Sequence, residues 1–216
     1  LTGLYPSHHG VKSHETRLAD SAVTLAEEFR AHGFTTLGVV NTWNVGAPQF
    51  QLGQGFERFF YVPEAHETAT AKMRVENGGT AVLAKAQEFL EASGSEPFFL
   101  FLHFYDVHTD FTPEPRYRAQ FVEPYTGRLN GRTQQLIGMR NRGKVLSADD
   151  LRFLRQMYDA EIRQLDDQLA AFFAWLDARG ALADTLVVVT SDHGEEFQEH
   201  GGILHGRTQY QELLRV

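Results

Sequence analysis

The sequence predicts an α/β fold with a mostly parallel central sheet, because short apolar runs alternate with longer segments of helical periodicity. Three runs have the length and composition of buried strands, at residues 35–40, 97–104 and 185–190. Predicted helices separate these runs, which is the pattern of right-handed β-α-β crossovers. We therefore expect the three strands to be parallel neighbours or near neighbours in an α/β sandwich.

Composition limits the class of protein and its partners. With 216 residues the chain suits one good core and is short for two ordinary domains, so we expect a single domain over residues 1–216. A formal net charge of −8 argues against a nucleic acid partner, because a phosphate backbone requires a basic surface. No apolar stretch approaches the ~20 residues that span a bilayer. The chain has no cysteine, which excludes a disulfide framework or a thiol nucleophile within these residues.

Two segments carry the signals of shorter helices. Thr24 and Glu27 fit a capping box, in which each side chain bonds the other residue's backbone amide, and Gly33 can end that helix. A crossover helix is expected from about residue 68 to residue 92, with a break at residues 77–79 near its start.

The longest periodic segment begins at Ser147, which is placed to cap it, and ends at Gly180. Its apolar residues recur at steps of three and four and predict one stripe against the sheet: Leu151, Leu154, Tyr158, Ile162, Leu165, Leu169, Phe172 and Leu176. Its acidic residues are interpreted as a solvated face rather than a paired-carboxylate site: Asp159, Glu161, Asp166 and Asp167.

Three further stretches complete the predicted organisation. Residues 97–104 form the most apolar run and predict the central strand. Residues 53–60 are typical of a turn leading into an aromatic patch that packs in the core. Residues 109–145 alternate prolines, glycines and arginines without periodicity, which predicts a long connection over the surface.

Candidate metal ligands follow the last predicted strand. The apolar run stops at Ser191, and Asp192 and His193 come next, with Gly194 allowing a sharp turn. In open α/β sheets, ligands bind outside the carboxyl ends of the strands. A carboxylate beside an imidazole suits zinc or manganese, and it also serves harder cations where other carboxylates join.

Other histidines are expected to face the same crevice. His200 and His205 lie on a glycine-rich loop downstream, and His108 follows the apolar run at residues 97–104. Because the carboxyl ends of parallel strands meet at one edge of a sheet, we expect His108 to converge with Asp192.

The order and spacing of these residues resemble the sulfatases of the alkaline phosphatase superfamily. Residues 185–195, TLVVVTSDHGE, match the metal motif of that family, and a glycine-rich loop, a His-Gly step and the close at residues 210–216 follow. Residues 1–11 resemble the second half of the sulfatase signature. The resemblance implies an alkaline phosphatase-like α/β/α sandwich. It also implies that the nucleophile, a formylglycine or a serine, and an aspartate pair lie upstream of Leu1, in a catalytic domain incomplete at both ends.

The resemblance implies a role for each matching residue. Asp192 and His193 would complete a divalent metal site, with Ca²⁺ as the first expectation and Mg²⁺, Mn²⁺ and Zn²⁺ as alternatives. His205 stands where the family carries histidine or lysine, and it would donate a hydrogen bond or proton to the leaving oxygen. His108 would bind the non-bridging oxygens of the ester. The formylglycine cofactor is expected outside these residues.

Two positions depart from the family pattern. The family often carries Gly-Lys after a strand of this type, whereas Val40 and Asn41 stand here, so the cationic contact to sulfate is missing or moved. Asp110 and Phe111 replace the usual proline-rich step after His108. The missing lysine favours phosphate over sulfate chemistry to a small degree.

The expected activity is metal-dependent hydrolysis of sulfate esters, carried by small molecules or glycans. Phosphodiester hydrolysis, phosphonate hydrolysis and phosphoethanolamine transfer are alternatives, because sulfate and phosphate esters present the same tetrahedral anion. A non-catalytic sulfatase-like binding module is a further alternative, and the residue at the nucleophile position decides among the three. The resemblance also implies a periplasmic or secreted location.

Overall fold

The computed structural model describes residues 1–13, 15–62 and 78–215, and it confirms an α/β fold with a parallel sheet. The chain divides into two compact units, Leu1–Asp106 and Val107–Val216, each of which is described by itself. The first ten residues of the predicted crossover helix, residues 68–77, lie outside the described residues.

The first unit contains the sheet and the helices that cover it. In chain order its elements are α1 (Pro6–His9), α2 (Leu25–Ala31), β1 (Thr35–Val40), α3 (Trp43–Gly46), a 3-10 turn (Pro48–Phe50), β2 (Arg58–Tyr61), α4 (Gly78–Ser93) and β3 (Phe98–His103). The predicted capping box is confirmed, since Thr24 Oγ1 accepts from Glu27 N and Glu27 Oε2 accepts from Thr24 N.

The sheet has the order β2-β1-β3, and all of its strands are parallel. The prediction that residues 97–104 form the central strand is wrong within the described sheet, because β1 lies in the middle and β3 at an edge. Burial follows this order: five of the six residues of β1 are buried, whereas all six of β3 are partly exposed. The strand β2 was not predicted as a strand, although its aromatic residues do pack, with Phe56 and Phe59 at a centroid distance of 5.4 Å.

The second unit is built on one long helix. Its elements are α5 (Pro115–Phe121), α6 (Thr133–Asn141), α7 (Ala148–Ala178), β4 (Glu196–Phe197), β5 (Ile203–Leu204) and α8 (Gln211–Leu214). The predicted cap at Ser147 is confirmed, with Asp150 as its reciprocal partner. The strands β4 and β5 form a short antiparallel hairpin.

One apolar core holds the second unit together. It draws on α6, α7, the hairpin and the segments that precede α5, α6 and α7: Phe111, Leu129, Leu136, Met139, Leu146, Phe153, Leu154, Met157, Phe197, Ile203 and Leu204. The prediction of a surface connection over residues 109–145 is therefore wrong, because this stretch contains α5 and α6. Tertiary packing stabilises these helices despite weak periodicity, since Leu136 and Met139, three apart on α6, are both buried.

The stripe predicted on α7 is only partly correct. Leu154, Phe172 and Leu176 are buried, but Ile162 is 43% exposed. The interpretation of Glu161 as a solvated acid is wrong, because the residue is 3% exposed. Its Oε1 accepts from the backbone amide of Thr112 at 2.6 Å, and such a bond offsets the cost of burying a carboxylate.

The predicted strand at residues 185–190 is not part of the sheet. No strand is assigned there among the described residues, and Leu186 and Val188 are 88% and 75% exposed. An extended segment forms a strand only when a neighbouring strand takes up its backbone hydrogen bonds. Among the described residues, no helix is both long and apolar enough to cross a membrane.

Candidate functional site

Three histidines from separate parts of the second unit meet at one point. One ring nitrogen from each of His108, His193 and His205 lies within 4.8 Å of the others. The ring centroids of His108 and His205 are 4.8 Å apart, and those of His108 and His193 are 6.1 Å apart. The sequence predicts that His108 converges with Asp192, and the structure brings His108 together with His193, the residue next to Asp192, even though no strand precedes His193.

His108 is oriented by the backbone around it. The preceding residue, Val107, has a φ of 72°, a left-handed conformation that a β-branched side chain rarely adopts. The Nδ1 of His108 lies 2.8 Å from the carbonyl oxygen of Thr109. Burial, and to a lesser degree the neighbouring imidazoles, lowers the pKa of His108 below its ordinary value.

His193 is held by the turn that follows it. Its Nδ1 lies 3.0 Å from the carbonyl oxygen of Gly194, and Gly194 N donates to Leu213 O at 2.9 Å. A Cβ on Gly194 would lie 2.1 Å from the carbonyl oxygen of Glu212, so only glycine allows the two backbones to approach. This contact ties the histidine to the start of α8.

Asp192 stands beside His193 but outside the cluster of three rings. Its Oδ1 accepts from His193 N at 3.1 Å, and its Oδ2 lies 3.8 Å from His193 Nε2. The side chain is 81% exposed. A separation of 3.8 Å is short enough for one ion bound at about 2.0–2.2 Å from each atom.

His205 follows directly after β5 and is held at both its ring and its backbone. Leu204 before it has a φ of 66°, the second left-handed residue that precedes a histidine of the cluster. The ring Nδ1 lies 2.8 Å from Glu195 Oε1, and Arg140 Nη1 donates to the carbonyl oxygen of His205 at 3.1 Å. Two different elements, the segment before β4 and α6, thus position this residue.

The hydrogen bonds at Nδ1 determine the tautomer of each of the three rings. A carbonyl oxygen only accepts, so Nδ1 carries the proton in His108 and His193, and a carboxylate imposes the same arrangement on His205. In the neutral form of such a ring Nε2 carries the lone pair that can bind a metal, and in the protonated form Nε2–H can donate to an anion. The cluster therefore suits a metal ion, an anionic ester, or both side by side.

Comparison with known proteins identifies the family. The sulfatase family model matches residues 1–216, which is the whole chain. The chain belongs to the sulfatase family. This confirms the resemblance drawn from residues 1–11 and 185–216.

Among the proteins to which this sulfatase-family chain is similar are one curated protein and three solved structures. The multifunctional alkaline phosphatase superfamily protein PehA of Trinickia caryophylli is 26% identical over 162 residues, covering 64% of this chain and 31% of PehA. The phosphonate monoester hydrolases of Agrobacterium radiobacter and Silicibacter pomeroyi align at TM-scores of 0.71 and 0.72 with 19% and 18% identity, and each alignment covers 55% of the hydrolase. The likeness covers 98% of this chain in the first case and 99% in the second.

The third structure is BT4656 in complex with its substrate D-glucosamine-2-N,6-O-disulfate. It aligns at a TM-score of 0.69 with 17% identity, covering 99% of this chain and 58% of BT4656. At such identities the likeness establishes the fold, and the expected fold class is confirmed. This sulfatase-family chain thus spans little more than half the length of each of these structures.

The residues present fit a divalent metal, as judged by their donor atoms. In His193 and the other two rings the Nδ1 protons are bonded, which fixes the tautomer that presents Nε2, as in most histidines that ligate metals. Imidazole nitrogens are typical of zinc sites, whereas calcium prefers oxygen ligands. That this sulfatase-family chain binds Ca²⁺ therefore stays a prediction. The three imidazoles of the cluster do not favour calcium as the metal.

Sequence reasoning missed two residues of the site, Glu195 and Arg140. A buried acid on the sequence stretch between His193 and His205 could have been suspected, since a second carboxylate often orients a functional histidine. Arg140 carries no local signal, because only the folding of α6 brings it to His205. The structure places His200 outside the cluster of three, with Nε2 at 3.3 Å from Glu212 Oε1 and its ring 3.8 Å from that of Tyr210.

Proposed function

We propose that the protein to which this chain belongs is a metal-dependent hydrolase of sulfate esters. One observation carries the proposal: a ring nitrogen from each of His108, His193 and His205 lies within 4.8 Å of the others. Membership of the sulfatase family supports it. The ester would be a small molecule or a glycan, and the whole domain would include the nucleophile expected upstream of Leu1.

Each residue of the cluster would have its own task. Asp192 and His193 would hold the metal, whose positive charge offsets the charge on the oxygens of the transferring group. His108 would contact the non-bridging oxygens. His205 would present Nε2–H to the leaving oxygen, which is general acid catalysis of a kind worth roughly 10²–10⁴ in rate.

A phosphorus ester is the second candidate substrate. Val40 and Asn41 stand where sulfatases often carry Gly-Lys, so the cationic contact to sulfate is missing or moved. PehA is described as multifunctional, which is compatible with more than one ester. Phosphodiesters and phosphonate monoesters are therefore the substrates to compare with a sulfate ester.

The test uses the whole protein with three aryl esters, a sulfate, a phosphodiester and a phosphonate monoester, with and without a chelator. We expect the sulfate ester to give the highest kcat/KM, and the chelator to abolish turnover. His205→Ala should lower turnover while the metal content by elemental analysis stays unchanged. Turnover that resists the chelator would contradict the metal assignment, and binding of the esters without any turnover would indicate a non-catalytic binding module.

A further inference from the structure

Glu195 is a buried carboxylate whose bonded partner is a histidine of the cluster. The residue is 8% exposed, and its side chain 3%. Its Oε1 lies 2.8 Å from His205 Nδ1, whereas its Oε2 is buried and has no hydrogen-bond partner among the described residues. Burying a carboxylate is expensive unless it is paired, so the bond to His205 is the contact that offsets its burial.

The backbone of His205 is fixed independently of this bond. Leu204 pairs with Glu196 in the β4–β5 hairpin, and Arg140 on α6 donates to the carbonyl oxygen of His205 at 3.1 Å. With the backbone held in this way, the contact of Glu195 acts on the ring. It determines the tautomer and the rotation of the imidazole rather than the course of the chain.

We infer that Glu195 is the positioning residue of His205: its carboxylate keeps the proton on Nδ1 and turns Nε2 toward His108 and His193. The inference rests on the proposed function, in which Nε2–H of His205 protonates the leaving oxygen. In that step the nucleophile of the whole protein forms a bond to sulfur or phosphorus, the bond from the leaving oxygen to that atom breaks, and the proton on Nε2 moves to the oxygen. The ring returns to the neutral form that carries its remaining proton on Nδ1, the nitrogen facing Glu195.

The next residue in the chain provides a matched control. Glu196 is 2% exposed, and one of its two carboxylate oxygens likewise has no partner among the described residues. Its other oxygen accepts from Thr208 Oγ1 at 2.6 Å rather than from a histidine. Glu196→Gln therefore changes size and charge at a buried site in the same way as Glu195→Gln, but it does not alter the hydrogen bond to His205 Nδ1.

The first measurement determines the tautomer of the His205 ring, and it does not require the protein to be catalytically active. In the whole protein labelled with ¹⁵N-histidine, the His205 ring signals are assigned by their loss in His205→Gln. In the wild-type protein and in Glu196→Gln we expect the proton on Nδ1 alone at a pH where the ring is neutral. In Glu195→Gln we expect a mixture of both tautomers, because an amide can donate to the ring as well as accept from it.

The second measurement reads the consequence for catalysis. Glu195→Gln should lower kcat roughly 10- to 100-fold on an alkyl ester, whose leaving group needs a proton, and should change kcat little on a nitrophenyl ester, whose leaving group does not. Metal content should be unchanged. In a His205→Gln background, Glu195→Gln should cause no further loss, because residues that act as a unit are not additive.

Several results would overturn the inference. One is a His205 tautomer that is the same in the wild-type protein and in Glu195→Gln. Others are an equal loss on both esters, a further loss in the His205→Gln background, or an equal effect of Glu196→Gln. If the wild-type protein hydrolyses neither ester, the proposed function fails, and the tautomer comparison still decides the assignment of Glu195.

Discussion

The imidazole rings of His193 and His205 lie close to face to face, with their centroids 4.1 Å apart and their planes inclined by 28°. Each ring has its Nδ1 engaged, by Gly194 O and by Glu195 respectively. One ring nitrogen of each residue lies within 4.8 Å of one in the other, so a group bound at either of these nitrogens would lie close to the other ring. A metal held at His193 and an ester oxygen protonated by His205 would be neighbours in the same small volume.

Asp192→Ala should weaken metal binding by at least about tenfold and abolish turnover in the whole protein, because the carboxylate is the proposed partner of His193 on the metal. Metal content by elemental analysis and hydrolysis rates check this. Asp166→Ala, which removes an exposed acid on α7, is the control and should change neither. If His108→Ala rather than Asp192→Ala removed the metal, the ion would be held by the three rings, and the assignment of Asp192 would be wrong.

Gly194→Ala should disturb the site through the backbone. The new Cβ would lie 2.1 Å from Glu212 O, and a carbonyl in the backbone has little freedom to move away. We expect a loss of about 1–3 kcal/mol in unfolding free energy, in the range of other overpacking changes, together with reduced activity. Denaturant unfolding measures the first effect.

Gly138→Ala serves as the comparison for Gly194→Ala, since its Cβ would meet only the flexible end of Arg142 at 3.5 Å. In the helix α6 this change should be neutral or stabilise by about 0.5–1 kcal/mol. Equal effects of the two substitutions would show that the contact between Gly194 and Glu212 carries no strain.

Glu161→Ala should destabilise the second unit by about 1–3 kcal/mol, because the partly buried backbone amide of Thr112 loses its acceptor. Glu161→Gln keeps an acceptor oxygen and should recover part of the loss. Asp159→Ala on the exposed side of α7 should change stability by less than about 0.5 kcal/mol. A thermal unfolding series of the three variants tests the order, and an Asp159 effect as large as that of Glu161 would refute it.

The stability of the first unit should fall in acid through Glu27. The hydrogen bond from the backbone amide of Thr24 holds the pKa of Glu27 below its ordinary value of 4.5. The folded state then binds fewer protons than the unfolded state, so the stabilisation is complete above the ordinary pKa and is lost as the pH falls through the lowered pKa.

Glu27→Gln tests this directly. The variant should be less stable than the wild-type protein near neutral pH, and the difference should shrink to zero below the lowered pKa. Unfolding in urea across that pH range measures it, with Glu28→Gln, an exposed neighbour, as control. A difference that stays constant with pH would rule out the charge on Glu27 as the cause.

The local signals in the sequence were sufficient for much of the fold. Capping boxes at Thr24 and Ser147 are short-range patterns, and the structure forms both. The edge position of β3 and the burial of Glu161 depend instead on which segments lie alongside them. Hydrophobicity alone does not determine the order of strands in a sheet. The burial of Glu161 could not be predicted either, because the amide that it bonds, that of Thr112, is far away in the sequence.

In the candidate site, too, some residues could be predicted from local sequence patterns and others depend on tertiary contacts. His108, His193 and His205 were recognisable because their order and spacing match motifs of the sulfatase family, and the structure brings these three together. Glu195 was not singled out, because nothing local in the sequence distinguishes it from Glu196, which is also buried but bonds Thr208 instead of a histidine. The role of Arg140 depends on a helix, α6, that propensity does not predict.

The exposed run at residues 185–190 also has a consequence for handling the protein. Leu186, Val187, Val188 and Val189 are uncharged, mostly β-branched and 44–88% exposed, which is the composition of segments that pair between molecules into cross-β assemblies. In concentrated solutions of the 216-residue chain, we therefore expect soluble protein to be lost through this intermolecular pairing rather than through unfolding. Val188→Lys would place a positive charge in this run and should slow fibril growth while leaving the melting temperature unchanged.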